Sequence, residues 1–311
     1  MEKYVIVVLS VVLSSTAAPP RPVVKQYRKD YEYNNKTNAF YKLHIESARH
    51  WEVRSRCQVE GAEPLVVRSD YDIVQIHAMM KNFPDIGKYV WVGDDGESHD
   101  SAEEPAIIDL DTEENDVEET GQCEVATRDG ELEMMYCYRD LPFICKVDAK
   151  DAPYDKHCNV FGRNYKFYQS VRSCYKIPNI AYSWSEAYSE CHAEGAHLLV
   201  INSVAEHEAI LNLTQNVPRI QDARASYFFF AGYRAERPVG NATIEFRTIF
   251  NQTLEAAGFN SWSDNEPNNA LNNEYCGSIF KNDGKLNDLD CSHRFAFICE
   301  NEVTDSIASL I

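Results

Sequence analysis

The sequence predicts an α+β fold that occurs twice along the chain, with short helices, small antiparallel sheets and disulfide bonds in each copy. Two segments that begin at a cysteine, CQVEGAEPLVVRS from Cys57 and CHAEGAHLLVINS from Cys191, align without a gap. Two later segments, GELEMMYCYRDLPFICK from Gly130 and GKLNDLDCSHRFAFICE from Gly284, also align without a gap. Because separate motifs recur in the same order, we interpret the 311 residues as a tandem duplication.

Helices are predicted where capping residues precede a helical spacing of apolar residues. Ser183 and Glu186 form a capping-box signature. The apolar face that follows is predicted to comprise Trp184, Ala187, Tyr188 and Cys191. Ser203 and Glu206 repeat the capping box before a second helix. In the first copy, Trp51 lies one residue out of register with Trp184, so the helical pattern there is less regular.

Strands are predicted for short runs of β-branched and aromatic residues. These runs are KYVWVG from Lys88, YFFFAGY from Tyr227, EYCGSIF from Glu274 and FAFICE from Phe295. The segment between Cys158 and Cys174 alternates as a short hairpin would.

The N-terminus has the pattern of a secretory signal. Lys3 precedes an apolar run from Tyr4 to Leu13, and small residues follow as far as Ala18. The run is too short to cross a bilayer, so we expect residues 1–18 to be removed and the protein to be secreted without membrane insertion. Four N-glycosylation sequons fit the same compartment: Asn35, Asn212, Asn241 and Asn251.

The ten cysteines of a secreted chain are expected to form disulfides. The first copy has Cys57, Cys123, Cys137 and Cys145, and the second has Cys191, Cys276, Cys291 and Cys299. Spacing alone allows three pairings for each set of four. Cys158 and Cys174 form an additional pair in the second copy.

Charge and motifs exclude several function classes. The net charge of −19, with a pI near 4.9, disfavours binding to nucleic acid or to an anionic membrane through bulk charge. His192 and His197 are poorly spaced for one metal ion. The sequence has no His-Glu-x-x-His motif, nucleophile elbow or phosphate loop, so we predict that the protein is not an enzyme.

The stretch NEPNNALNNEY, residues 265–275, is the candidate functional segment. Asparagine and proline are common in solvated turns, so the segment is on its own compatible with a plain surface loop. Its carboxylate and amide oxygens are also the ligands that calcium prefers. The cysteines at 276 and 291 and the segment KLNDLDC favour the second interpretation, because a disulfide between them would hold two ligand-bearing segments together.

Both copies resemble C-type lectin-like domains, through the helix followed by Cys and Gly, the WVG and FAGY strands, and the four-cysteine frame. The tandem arrangement is similar to the two-domain haemolymph lectins of moths and butterflies, the immulectins. The resemblance implies domains at 19–148 and 157–303, joined by a linker at 149–156, each with two helices and a long ligand-binding loop. It also implies the disulfides Cys57–Cys145, Cys123–Cys137, Cys191–Cys299 and Cys276–Cys291, with Cys158–Cys174 typical of the long form.

For the second copy the resemblance implies one Ca²⁺ site that also binds the sugar. Its five predicted ligands are Glu266, Asn268, Glu274, Asn287 and Asp288, with a cis bond before Pro267. A Glu-Pro-Asn motif implies mannose-type sugars, and the family implies microbial surface polysaccharides such as lipopolysaccharide as targets. Leu286 replaces a tryptophan usual in the family and is expected to pack without binding the ion.

The first copy departs from this pattern. Gly121 takes the place of Glu274, and Glu133 and Met134 take the places of Asn287 and Asp288, so we expect its calcium site to be lost. Residues 94–119 instead contain thirteen acidic residues and no lysine or arginine. This acidic loop is compatible with a solvated loop, a weak cation site or an unidentified basic protein partner.

The rival function is a calcium-independent protein-binding module that has kept the fold without sugar activity. The five filled ligand positions favour the lectin. Because one sugar site binds weakly, we expect either a homo-oligomer or a contribution from the first copy to avidity.

Overall fold

The computed structural model describes residues 27–93, 121–238 and 243–303. Three predictions fall outside these ranges: the signal sequence, the acidic loop at 94–119 and the Asn241 sequon. We call residues 27–93 and 121–152 the N-terminal part, and residues 153–238 and 243–303 the C-terminal part. Within the described ranges, no helix combines the length and the apolar composition that crossing a bilayer requires.

The N-terminal part contains two α-helices and one sheet. The strands are β1 Glu32–Asn34, β2 Ala39–Ala48, β3 Glu63–Pro64, β4 Tyr89–Trp91, β5 Gln122–Thr127, β6 Leu132–Tyr136 and β7 Leu141–Asp148. The helices are α1 His50–Val59 and α2 Asp70–Lys81, and a 3-10 turn spans Pro84–Ile86. The seven strands form a sheet in the order β1-β2-β7-β4-β5-β6, with β3 also paired to β7.

The C-terminal part has the same succession of elements with additions. Its strands are β8 Lys166–Tyr168, β9 Ser173–Lys176, β10 His197–Leu198, β11 Phe228–Ala235, β12 Phe246–Thr248, β13 Glu274–Phe280, β14 Leu286–Asp290, β15 Ala296–Phe297 and β16 Cys299–Glu302. Its helices are α3 Trp184–Ala193, α4 Val204–Gln215 and α5 Leu254–Ala257, and a 3-10 turn spans Ala270–Asn272. The predicted hairpin is present as the antiparallel pair of β8 and β9.

The sheets differ from the small antiparallel sheets expected. The C-terminal part has a four-stranded sheet, β10-β16-β9-β8, and a five-stranded sheet, β12-β11-β13-β14 with β15 beside β11. In the N-terminal part, β7 runs without interruption through one sheet, and each part contains one parallel pair, β4–β7 or β11–β15. The predicted FAFICE strand is interrupted at Ile298, whose N–H donates to the carbonyl of Phe230, and this break separates β15 from β16.

The predicted starts of α3 and α4 are present, but two side chains differ from their predicted roles. Ser183 and Glu186 form the full capping box of α3. At α4, Ser203 caps the helix, but the buried Glu206 side chain accepts from the Asn202 N–H at 2.7 Å, so the box is incomplete. Tyr188 was expected on the apolar face of α3 and is instead 38% exposed, because it stacks on the outer side of Trp184.

The repeated Glu-Gly-Ala motif has a structural role in both parts. Glu60 and Glu194 are buried and bind the ammonium groups of Lys42 and Lys176, respectively. Each motif glycine follows the helix end with a positive φ, 81° at Gly61 and 87° at Gly195. A β-carbon would be strained there, which explains why glycine occupies this position.

Five disulfides stabilise the structure, two within the N-terminal part and three within the C-terminal part. They are Cys57–Cys145, Cys123–Cys137, Cys158–Cys174, Cys191–Cys299 and Cys276–Cys291, the pairing that the resemblance implies. The bond between residues 276 and 291 joins the start of β13 to the residue after β14. The two strands that flank the candidate segment are therefore covalently linked.

Arg28 joins the two parts through buried charge. Its guanidinium donates to both carboxylate oxygens of Glu190 on α3, at 2.7 and 2.8 Å, and lies 3.5 Å from Glu60 at the end of α1. All three side chains are almost completely buried. The motif carboxylates thus support the contact between the parts as well as the helix ends.

Candidate functional site

The candidate segment forms an irregular loop between α5 and β13. The Ser263 N–H donates to the carbonyl of Leu286 at 2.9 Å, so the loop begins beside the outer edge of β14. Leu286 itself is fully buried in the core, as expected for a packing residue. The Glu266–Pro267 bond is cis, as the resemblance implies. The chain returns to the sheet at Glu274, the first residue of β13.

The backbone explains why this loop is rich in asparagine. Asn265, Asn269 and Asn272 have positive φ angles of 67°, 44° and 55°. Among side-chain-bearing residues, asparagine tolerates this left-handed conformation best. Leu271 also has a positive φ, 55°, and its side chain is 98% exposed. Several asparagines therefore fix the loop shape, and only some of them are candidate ligands.

Asp288 is the residue around which the predicted ligands gather. Its side chain is buried on β14, and its two carboxylate oxygens accept N–H bonds from Asn268 and Asn269, at 3.1 and 2.8 Å. The Asn268 side-chain amide donates to Glu266 at 2.8 Å. The strand and the tip of the loop are therefore held together by direct hydrogen bonds, which bring three of the five predicted residues into contact.

The other two predicted ligands join the group less directly. Glu274 accepts from the Ala270 N–H at 2.9 Å, and its own N–H donates to the side-chain oxygen of Asn269 at 2.9 Å. Asn287 is buried, and its side-chain amide donates to the backbone carbonyl of Asp288. Asn287 is thus adjacent to the cluster in sequence, without a described hydrogen bond to the loop.

The cluster concentrates negative charge. Burial and the adjacent Asp288 carboxylate, through a hydrogen bond and its charge, raise the pKa of Glu266 to about 7. Burial, with the charges of Asp288 and Asp290, also raises the pKa of Glu274. Among the described residues, no lysine, arginine or histidine forms an ion pair with Glu266, Glu274 or Asp288. A cation bound here would relieve this repulsion.

The side-chain oxygens of Asn268 and Asn287 are the remaining candidate ligands. The –NH₂ groups of Asn268 and Asn287 donate to protein oxygens, which leaves each side-chain carbonyl oxygen without a hydrogen-bond donor among the described residues. Calcium prefers such carbonyl and carboxylate oxygens and binds about six to eight of them. Three carboxylates and two amide oxygens are therefore donors of the kinds that calcium prefers.

Sequence reasoning missed contributors of two kinds. The backbone N–H groups of residues 268–270 position the carboxylates, and no sequence pattern announces such contacts. Asp290 accepts from the Asn273 side chain at 2.6 Å and pairs in register with Glu274. Asp290 could have been found, because residues two apart on a strand lie on the same face, and Asp288 is two residues earlier.

The strand of the N-terminal part that corresponds to β14 is β6, and it has a methionine at the position of Asp288. Met134 on β6 pairs with Glu124, the residue after Cys123, as Asp288 on β14 pairs with Gly277, the residue after Cys276. Met134 therefore occupies the place of the central carboxylate, and it is 53% exposed. Its thioether cannot replace a carboxylate as a calcium ligand.

Comparisons with known proteins point to one family. Residues 180–301 match the sequence profile of the family described as Lectin C-type domain. A hemolymph lipopolysaccharide-binding protein of Periplaneta americana is 37% identical over 135 residues, which span 43% of this chain and 51% of that protein. A C-type lectin of Micrurus corallinus is 30% identical over 133 residues, 40% of this chain and 75% of that protein.

A third relative aligns over a longer stretch. The C-type mannose receptor 2 of Homo sapiens is 22% identical over 281 residues, which span 85% of this chain and 18% of the receptor. The chain thus covers about half of the cockroach protein and a smaller share of the receptor. The profile match, the coverage of the snake lectin and the disulfide-linked fold together show that this chain belongs to the C-type lectin family.

Proposed function

We propose that the protein is a secreted, calcium-dependent lectin that binds mannose-type sugars through its C-terminal part. The observation that carries the proposal is the position of Asp288, which hydrogen-bonds to the loop tip and gathers Glu266 and Asn268 beside it. The proposed ligands of one Ca²⁺ ion are Glu266, Asn268, Glu274, Asn287 and Asp288. The bound ion would supply coordination positions for two neighbouring sugar hydroxyls.

The pairing of a carboxylate with an amide accounts for the proposed sugar preference. A carboxylate only accepts hydrogen bonds, whereas an asparagine –NH₂ also donates. The order Glu266 then Asn268 therefore suits one arrangement of two adjacent hydroxyls, and the reverse order suits another. We assign the first order to the equatorial 3- and 4-hydroxyls of mannose-type sugars.

We further propose two C-type lectin-like domains at residues 19–148 and 157–303, joined by a linker at 149–156 and preceded by a signal peptide at 1–18. The long alignment with the mannose receptor and the repeated order of strands, helices and disulfides support this organisation. The exposed Met134 supports loss of the calcium site from the first domain. Asn35, Asn212 and Asn251 are exposed, which is compatible with glycosylation.

The proposed targets are glycans of microbial surfaces, including lipopolysaccharide, in innate immunity. The name of the cockroach relative supports this assignment. Because a single sugar contributes little free energy, we propose that the chain forms a homo-oligomer or uses its first domain to increase avidity.

Retention of the full chain on mannan resin tests the proposal. We expect retention in calcium, release by EDTA, and loss of retention for Glu266→Ala. The matched control is Asp264→Ala, which removes an exposed carboxylate from the same loop outside the proposed ligand set. The double variant Glu266→Gln, Asn268→Asp should exchange retention on mannan for retention on galactose resin. Absence of calcium-dependent retention on any sugar resin would favour the protein-binding module.

A further inference from the structure

A second concave site lies between the two parts, away from the calcium loop. The cleft has a volume of about 740 Å³. The N-terminal part lines it with residues between 58 and 68 and between 146 and 151, and the C-terminal part with residues 163–164 and 176–179. Sites for small molecules in proteins usually have volumes of about 300–1,000 Å³ and often lie at such junctions.

Two of the four cationic side chains that line the cleft are already neutralised. Lys146 is 2.8 Å from Asp72, and Lys176 is 2.5 Å from Glu194. Arg68 and Arg163, the remaining two, have no carboxylate within 4.0 Å among the described residues. Both arginines are exposed.

The three acidic side chains that line the cleft lie near two other cationic side chains. Glu63 is 3.4 Å from Arg54 and also accepts from the Gln58 side chain at 3.2 Å. Asp148 and Asp151 each lie 3.9 Å from Lys150. Because Asp148 and Asp151 share one lysine, one carboxylate charge remains beside the two guanidinium groups, and the unpaired charge of the cleft is positive.

We propose that this cleft binds a saccharide that carries a phosphate or carboxylate group, with Arg68 and Arg163 as the anchors for the anion. A guanidinium presents a planar fork of N–H donors that matches both anions. The whole chain carries a net charge of −19, so bulk electrostatics repels anions and binding requires a local site.

The rest of the lining suits a sugar. Asn164 and Asn179 contribute side-chain amides, which both donate and accept and so match hydroxyl groups, and Gln58, whose –NH₂ donates to Glu63, contributes a carbonyl oxygen. Val66 and Ile177 contribute apolar surface from opposite parts, and such surface can cover the nonpolar face of a sugar ring. The site shares no residue with the calcium cluster, so it goes beyond the function proposed above and does not depend on it.

Isothermal titration calorimetry of the full chain tests the cleft. The buffer is freed of calcium with a chelating resin, because EDTA would itself compete for arginines. The probes are glucose 1-phosphate, glucuronate, glucose and inorganic phosphate. We expect either glucose 1-phosphate or glucuronate to bind at least about tenfold more tightly than glucose or inorganic phosphate. The probe that binds more tightly identifies the preferred anion.

Substitutions then locate the site. Arg68→Gln and Arg163→Gln should each weaken binding about tenfold, the effect of removing a charged hydrogen bond. Arg163→Lys, which keeps the charge without the fork, should weaken it less. Arg247→Gln is the matched control, because Arg247 is a half-buried arginine on β12 that pairs with Glu245 outside the cleft. Asp288→Asn should leave the cleft affinity unchanged.

Three outcomes would overturn the proposal. The first is that neither glucose 1-phosphate nor glucuronate binds. The second is equal affinity in the wild type and in the variant with both arginines replaced. The third is an affinity for inorganic phosphate equal to that for the two anionic sugars. Calcium-dependent retention on mannan is measured on the same preparations. Failure of the cleft with retained mannan binding would therefore contradict only this inference.

Discussion

The carboxyl groups of Glu206 and Glu300 lie close together in the interior of the C-terminal part, where Glu206 accepts from the Tyr175 hydroxyl and Glu300 accepts from the Ser173 hydroxyl. Both glutamates are at most 1% exposed. The equivalent positions of the N-terminal part are Asp72 and Lys146, which form an ion pair at 2.8 Å. The corresponding buried location thus holds two acids in the C-terminal part and an ion pair in the N-terminal part.

Stability of the C-terminal part should fall as pH rises. Burial and the Glu206 carboxylate raise the pKa of Glu300 well above its usual value. Below the pKa of the unfolded chain both states are protonated, and above it only the unfolded state releases its proton. Unfolding free energy should therefore decrease by up to about 1.4 kcal/mol per pH unit until the folded pKa is passed.

Glu300→Gln should reduce this dependence, because the amide mimics the protonated acid, while the raised pKa values of Glu266 and Glu274 leave a remainder. We expect the variant to be about 1–3 kcal/mol more stable than wild type at pH 8, as measured by chemical denaturation at several pH values. Glu302→Gln, an exposed change on the same strand, is the control. An unchanged pH dependence in Glu300→Gln would contradict the assignment.

Calcium should stabilise the folded protein through Asp288. A ligand that binds only the native state adds about 2.7 kcal/mol at a concentration one hundred times its Kd. Asp288→Asn removes the carboxylate on which the loop tip converges, so calcium should no longer raise the Tm. Differential scanning calorimetry with and without calcium measures the effect. The Asp264→Asn control should keep the full calcium-dependent rise, and a full rise in Asp288→Asn would exclude Asp288 as a ligand.

Leu271→Asn should stabilise the loop by about 0.5–1 kcal/mol. Leu271 adopts a left-handed backbone conformation that asparagine tolerates better, and its exposed side chain loses little packing. Urea denaturation measures the change. Val204→Asn, at a 67% exposed helical position of ordinary backbone conformation, should be neutral or destabilising. A loss of stability in Leu271→Asn would show that the leucine side chain makes a contact of its own.

Arg28→Ala should destabilise the protein by about 3–5 kcal/mol. The substitution leaves the buried carboxylates of Glu190, Glu60 and Glu194 without their shared cation. Thermal and chemical unfolding measure the loss, with Arg247→Ala, at a half-buried position that pairs with the exposed Glu245, as a control. A change below about 1 kcal/mol would show that the contact between the two parts does not depend on this network.

Local patterns in the sequence were enough to predict much of the architecture. Ser183 with Glu186 marked a helix start because capping depends on residues only three positions apart. The strands beginning near residues 89, 228 and 274 followed from runs of aromatic and β-branched residues. The five candidate ligands were found through the family resemblance, since spacing alone left the segment ambiguous between a turn and a metal site.

Other features depended on contacts between residues distant in sequence. The segments LPFICK and FAFICE share Phe-Ile-Cys, yet the first lies within the uninterrupted β7 and the second is broken at Ile298. Their hydrogen-bond partners elsewhere in the chain account for the difference. Glu206 resembled one half of a capping box, but its burial beside Glu300 directed the carboxylate to Asn202. Burial and partner choice are properties of the assembled chain, so no short window contains them.

The sequence by itself determined the kinds of oxygen available at the candidate site, because residue identity fixes side-chain chemistry, and the family resemblance indicated Glu266, Asn268 and Asp288 as ligands. Only the tertiary structure decided that these oxygens converge. Asp288 lies twenty residues after Asn268 and meets it because β14 pairs with β13 beside the loop. The cleft between the two parts arises in the same way, since Arg68 and Arg163 line it from different parts of the chain.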